Sequence, residues 1–222
     1  MICGGDADVD NFLARTRSSV QDLEAAVLTL KAKAVADKIE DTLVNGDTGV
    51  DANSFDGLDK LIGTGAQQIS MGTNGATPTL AKIDEVIDTV LGGKPDLLLM
   101  SKRSRRGMNA LMRASGSGVL PVERTEWGNF IALYNGIPVI VSDYISDAKT
   151  VGSSTDCSTI YALQMGEGEF AGLTSVGSPS IVEVERIGSL ETKDATRNRV
   201  KAYVSCALFN SKKAAKLIGV RP

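Results

Sequence analysis

Histidine is absent from this sequence, and that narrows the chemistry open to it. Without imidazole there is no Ser/His or Cys/His nucleophile pair, no usual zinc ligand and not the commonest general base. Catalysis would have to run on carboxylates, Lys or Tyr, and the groups at hand are Asp143 or Glu126 with Tyr144. No partner is implied beside Asp143-Tyr144, so packing at a strand end is the simpler expectation. Cys3, Cys157 and Cys206 are scattered without CxxC spacing, the pattern of free thiols in a reducing compartment.

Four stretches imitate ligand sites and fail on spacing. In Gly92-Gly93-Lys94-Pro95, Asp88 stands where a phosphate loop needs its first glycine, and Pro95 replaces Ser/Thr. Gly166-Glu167-Gly168-Glu169 reaches its next glycine at Gly172, one place late for a dinucleotide fingerprint, and sets two acids against any pyrophosphate. Ser115 to Val119 lacks the spacing of a nucleophile elbow, which leaves Ser117 without activation. Counted from Asp51, a calcium loop would meet Phe55 at its fifth position and Ile62 at its twelfth; counted from Asp47, it would meet Leu58 there. A turn in which Asp and Asn bond their own backbone is expected instead. No catalytic, cofactor-binding or metal residue is assigned.

The one concentrated charge cluster is Lys102, Arg103, Arg105 and Arg106, with Arg113 further along. A nucleic-acid module built on Arg103, Arg105 and Arg106 would need the basic face continued elsewhere and aromatics to stack bases. Neither is evident, and a net charge of -3 gives no general pull toward polyanions. Arg103, Arg105, Arg106 and Arg113 are therefore candidates for a solvated face or for contacts with a neighbouring subunit's carboxylates.

The elements around these residues follow from periodicity. From a cap at Ser18 or Ser19, Val20, Leu23, Val27, Leu30 and Ala34 recur at helical steps, followed by Ile39 and Leu43. About 27 residues at about 1.5 Å each predict a rod of about 40 Å, stopped in left-handed geometry at Asn45-Gly46. Phe55, Leu58, Leu61 and Ile62 then form an apolar foot. Thr77-Pro78 should open a second helix lined by Leu80, Ile83, Ile87, Val90 and Leu91. A buried strand over 96–100 and a helix from Ser101 to about Ala114 follow. Asn135-Gly136 predicts a hairpin between 130–134 and 137–141, with Pro138 at an edge or an irregular start. Lys149 to Ser158 reads as a loop, 159–165 and 170–176 as a strand pair, and 181–187 and 199–208 as longer strands. A short helix is expected at the C-terminus, capped by Asn210 or Ser211. The partner of the extended start, with its alternating Asp6, Asp8 and Asp10, is not obvious. No apolar run is long enough to span a bilayer, and the first residues carry no secretory pattern.

Four ordered blocks resemble a known family. KAKAVADKIEDTLVNGDTGVDANSFDGLDKLI is similar to the spine-helix end and following loop of tailed-phage major capsid proteins with the Hong Kong ninety-seven phage fold, which encapsulin shells share. TLAKIDEVIDTVLGGKPDLLLMSKRSRRGMNAL resembles the axial-domain helices and strand, and FIALYNGIPVIVSDYI its strand pair. VEVERIG and RNRVKAYVSCALFNSKKAAKLIGV resemble the returning peripheral strands and chain end. The resemblance implies an α+β, L-shaped subunit with a long spine helix on a peripheral-domain sheet and an α/β axial domain. Its divisions would be 1–60 peripheral with the spine helix, 61–179 axial, and 180–222 peripheral return strands with the C-terminal helix.

It further implies a structural, non-enzymatic shell subunit forming pentamers and hexamers of an icosahedral phage or prophage head around double-stranded DNA. That DNA would be held without sequence-specific contact, and no membrane is involved. Scaffolding, portal and decoration proteins would be partners; the virion, and the host cytoplasm during assembly, would be its locations. The alternatives are an encapsulin-type compartment shell and an α/β enzyme using carboxylates. The family places an N-terminal arm and an extended hairpin loop before the spine helix, and this chain is expected to lack both.

Overall fold

The computed structural model describes residues 1–17, 22–116, 120–124, 130–175 and 181–221. In chain order the elements are β1 (Ile2–Asp10), α1 (Asn11–Arg17), α2 (Leu23–Asn45), α3 (Leu58–Leu61), β2 (Gln68–Ser70) and α4 (Leu80–Thr89). They continue with β3 (Leu97–Met100), α5 (Lys102–Ala114), β4 (Val122–Arg124), β5 (Phe130–Tyr134), β6 (Ile137–Val141) and β7 (Lys149–Val151). The last are β8 (Ser154–Leu163), β9 (Phe170–Thr174), β10 (Val182–Ser189), β11 (Ala195–Leu208), a 3-10 turn (Ser211–Lys213) and β12 (Ala214–Val220). They form two compact units, one of residues 1–57 and 172–206, the other of 58–171 and 207–222.

In the first unit β11 is the central strand, antiparallel to both β1 and β10, and β9 also pairs with it. Strand alternation sends Ala7, Val9, Val200 and Ala202 to the face that α2 covers, and Asp6, Asp8, Arg197, Arg199 and Lys201 to the other. Val35 of α2 is buried against Val200 and Ala202, with Leu28, Ile39, Cys3 and Val182 packed around them. The helix runs 23 residues, about 35 Å at about 1.5 Å each. Asp22 caps it, its carboxylate accepting from the Glu24 and Ala25 amides at 3.0 and 3.2 Å. Ser18, Ser19 and Val20 lie outside the described residues.

Two expectations for α2 are corrected. Leu30 is 67% exposed, because the covered stripe is Leu28, Val35, Ile39 and Thr42. Gly46 is not left-handed (φ -57, ψ 136). Glycine fits there because a Cβ would strike the Phe55 carbonyl and stand 2.5 Å from that of Thr42.

The second unit holds a mixed sheet in the order β2-β12-β8-β3-β6-β5-β4, with β7 paired to β8. Ile83, Val86 and Ile87 of α4 and Met108 of α5 share one core with Leu98, Met100, Ile160, Ala162, Ala215 and Leu217. Thr79, not Thr77, caps α4, accepting from the Lys82 amide at 3.3 Å. Leu91 faces solvent, since the helix has ended at Thr89. Ser101 caps α5 as expected, accepting from the Ser104 amide at 3.1 Å.

The β5–β6 hairpin forms at Asn135-Gly136, whose φ values of 52° and 77° suit a primed two-residue turn. Pro138 is not at an edge: β6 lies between β5 and β3. Its missing N–H is tolerated because pairing with β3 starts only at Val139.

Three further expectations fail, the first at a local hairpin and the other two where pairing is non-local. Residues 149–158 form the β7–β8 hairpin rather than a loop. β9 pairs with β11, leaving among the described residues only a bridge between Met165 and Phe170 where a hairpin was expected. The expected C-terminal helix is strand β12. Residues 211–213 make only a 3-10 turn, after which β12 inserts between β8 and β2. Residues 214–217 are all buried there, and β8 and β2 supply the backbone partners that a helix would have supplied internally. This end of the chain thus lies with 58–171, not with strands β10 and β11.

Candidate functional site

The basic cluster sits on α5 and is divided by its surroundings. Lys102 pairs with Asp143 at 2.6 Å, with both side chains largely exposed. Arg103 turns back onto its own unit, 3.7 Å from Asp147 and donating to the Asp156 carbonyl. Arg105, Arg106 and Arg113 are exposed and make no ion pair among the described residues. At 3.6 residues per turn they share one broad outward side of the helix, opposite buried Ser104 and Met108. The four candidates therefore separate into one internally paired arginine and three that offer charge outward.

The groups considered for catalysis do not gather. Asp143 is neutralised by Lys102 in solvent, and Glu126 and Ser117 lie outside the described residues. In the acidic turn, Asp47 accepts from the Gly49 amide at 2.7 Å and Asp51 from the Asn53 amide at 3.0 Å. Asp56 takes both the amide and the hydroxyl of Thr48. The turn is thus held by Asp side chains on its own backbone. Cys206 is buried, its thiol donating to the Asp56 carbonyl at 3.4 Å, and burial raises its pKa to about 11.

Two charge constellations stand out beyond α5. On the outer face of the first unit's sheet, Asp6 pairs with Arg199 at 2.8 Å, Asp8 with Arg197 at 2.6 Å and Glu185 with Lys201 at 3.0 Å. β11 is thus the partner that the alternating acids of β1 required. Hydrogen bonds from Arg199 and Arg197 hold Asp6 and Asp8 below the usual carboxylate range.

In the second unit, Asp59 of α3 accepts from the Tyr161 hydroxyl and from Lys149, both at 2.9 Å. Lys149 also donates to the Tyr161 oxygen at 3.0 Å, and buried Lys216 donates to the Asp59 carbonyl at 2.7 Å. Burial alone would raise the Asp59 pKa, but the charge and hydrogen bond of Lys149 and the Tyr161 hydroxyl bring it below the usual value. Burial pushes the Tyr161 hydroxyl up and Lys216 down. Every member has a partner, so the cluster can fasten α3 to β8 and β12 but holds no free acid or base. The signal for it was legible: Lys216 interrupts the apolar run of AAKLIGV, and a charge there needs an acid.

No family model matches the chain, and no curated protein matches it. Solved structures do. The SrpI encapsulin complex from Synechococcus elongatus PCC 7942 matches with a TM-score of 0.81 at 20% identity, over 99% of this chain and 74% of that one. The capsid of a native GTA particle matches with a TM-score of 0.66 at 14% identity, over 99% and 72%. The capsid of the Myoviridae phage XM1 gives 0.66 at 12% identity, over 99% and 73%. The chain therefore has the Hong Kong ninety-seven fold of phage capsids and encapsulins.

Proposed function

We propose that this chain is a structural subunit of an icosahedral shell, a phage or prophage head whose pentamers and hexamers enclose double-stranded DNA. The observation that carries this is likeness to shell-forming chains over 99% of the sequence, including phage and GTA capsids. The four sequence blocks resembling tailed-phage capsid proteins support the same choice. In this reading the α2 unit corresponds to the peripheral domain and the α5 unit to the axial domain. Arg105, Arg106 and Arg113 then meet carboxylates of a neighbouring copy, and the role is assembly rather than catalysis. Scaffolding, portal and decoration proteins would be further partners.

A compartment shell of encapsulin type is the second reading, favoured by the higher TM-score of 0.81 to the encapsulin. Electron microscopy of the purified chain under assembly conditions should show capsomers or closed particles; monodisperse monomers under every condition would overturn both readings. Particles recovered from the native host would hold nuclease-protected double-stranded DNA under the first reading and protein cargo under the second. Reversing all three arginines (R105E, R106E, R113E) should change folding stability by no more than about 0.5 kcal/mol per substitution, as exposed substitutions do, while abolishing assembly.

A further inference from the structure

The chain contains three Asn-Gly pairs, Asn45-Gly46, Asn74-Gly75 and Asn135-Gly136, and the fold treats them differently. In each, the glycine nitrogen is the nucleophile that could attack the asparagine carboxamide, since glycine has no side chain to obstruct the approach. At the first pair, the buried Gly46 amide donates to the Thr42 carbonyl at 2.8 Å, and Asn45 Nδ2 donates to Asp41 at 3.0 Å. At the second, the Gly75 amide donates to the Gly72 carbonyl at 3.3 Å, and Asn74 Oδ1 accepts from the Ser153 amide at 3.1 Å. Both nucleophiles are thus engaged in backbone hydrogen bonds. At the third, Asn135 and Gly136 are exposed at the tip of the β5–β6 hairpin, and the Gly136 amide makes no hydrogen bond among the described residues. Lys94 Nζ lies 2.9 Å from the Asn135 main-chain oxygen and 3.3 Å from Oδ1. Its ammonium draws electron density from the carboxamide carbon and sits where negative charge develops on Oδ1.

We infer that Asn135 is a site of spontaneous deamidation in the folded chain, and that the fold protects Asn45 and Asn74. Gly136 nitrogen loses its proton to solvent base and forms a bond to Asn135 Cγ. The side-chain nitrogen takes up a proton and leaves as ammonia, giving a cyclic imide. Water then opens the imide at one carbonyl or the other, yielding aspartate or isoaspartate. The net change is one water consumed and one ammonia released, with no redox step. The new carboxylate lies beside Lys94. In the isoaspartyl product the main chain runs through Cγ, one atom longer, which a two-residue turn between Tyr134 and Ile137 cannot accommodate without loss of register.

Peptide mapping by mass spectrometry decides the matter. The full chain is incubated folded at mildly alkaline pH, beside the same chain unfolded in guanidinium. In the folded chain the Asn135 peptide should gain the mass of an NH2-to-OH exchange about tenfold or more faster than either other peptide, because the others must first break hydrogen bonds. Unfolded, the three rates should converge. Equal or faster reaction at Asn45 or Asn74 in the folded chain would overturn the inference. So would an intact Asn135 in a folded chain whose unfolded form reacts at all three pairs.

Discussion

The two units handle ionic chemistry in opposite ways. In the α2 unit, acids and bases alternate across β1, β11 and β10 on the outer face of the sheet, with side chains 28–57% exposed along the Asp6–Arg199, Asp8–Arg197 and Glu185–Lys201 pairs. In the α5 unit, Asp59 and Lys149 converge on buried Tyr161 and on Lys216, whose side chain is only 6% exposed, while Asp59 itself keeps one edge in solvent. Water and salt screen the first set, so its pairs add little stability and serve chiefly to match strand to strand. The second cannot lose one member without stranding the others' charge. Similar residues thus fasten a surface register in one place and a buried chain segment in the other.

The largest effect should come from Asp59→Ala, which leaves Lys149 and buried Lys216 as unpaired like charges. Urea unfolding should show a loss of about 3 kcal/mol, the low end for a broken buried pair because the Asp59 side chain is itself 42% exposed. A loss no larger than that of a surface substitution would erase the contrast between the units.

An acid titration sharpens the comparison. Asp59, Asp6 and Asp8 all have folded pKa values below the ordinary 3.8. A carboxyl more acidic in the folded state contributes stability that is present above its unfolded value and lost as pH falls through its folded one. Stability should therefore decline as pH drops below 3.8. At about 1 M salt the share of the ladder and of the exposed Asp156–Arg221 pair, whose carboxyl is also held low, should be screened away, and the acid loss that remains should shrink in Asp59→Ala.

Arg199→Ala should have the smallest effect. Arg197 already stands 3.4 Å from Asp6 and can partly replace it. Thermal unfolding should show a slight decrease at low salt and none at about 1 M.

Much of this was legible in the sequence where the cause is local. The hairpin at Asn135-Gly136, the Ser101 cap, the buried strand over Leu97–Met100 and the paired strands β10 and β11 follow from residues close together in the chain. The rest depends on contacts that sequence spacing does not encode. Val20 to Ala34 has a periodic stripe, yet the sheet covers the Leu28–Val35–Ile39 side, because Val200 and Ala202 approach from that direction. Gly46 looked like a left-handed stop but is glycine because Phe55 and Thr42 crowd it. The outward arginines of α5 could be listed, but only the fold shows that Arg103 is turned inward.

By itself, then, the sequence determined the absence of imidazole chemistry, the failure of every ligand-loop spacing, the long helix and the resemblance to shell proteins. Tertiary structure decided that AAKLIGV is a strand, that β9 belongs with β11, and that the acids of β1 answer the arginines of β11. The reason is range. Caps, turns and helical periodicity are settled within a few residues, whereas a short apolar segment can be helix or strand until a partner edge arrives. For β12 that edge is β8, whose residues lie more than fifty positions earlier in the chain.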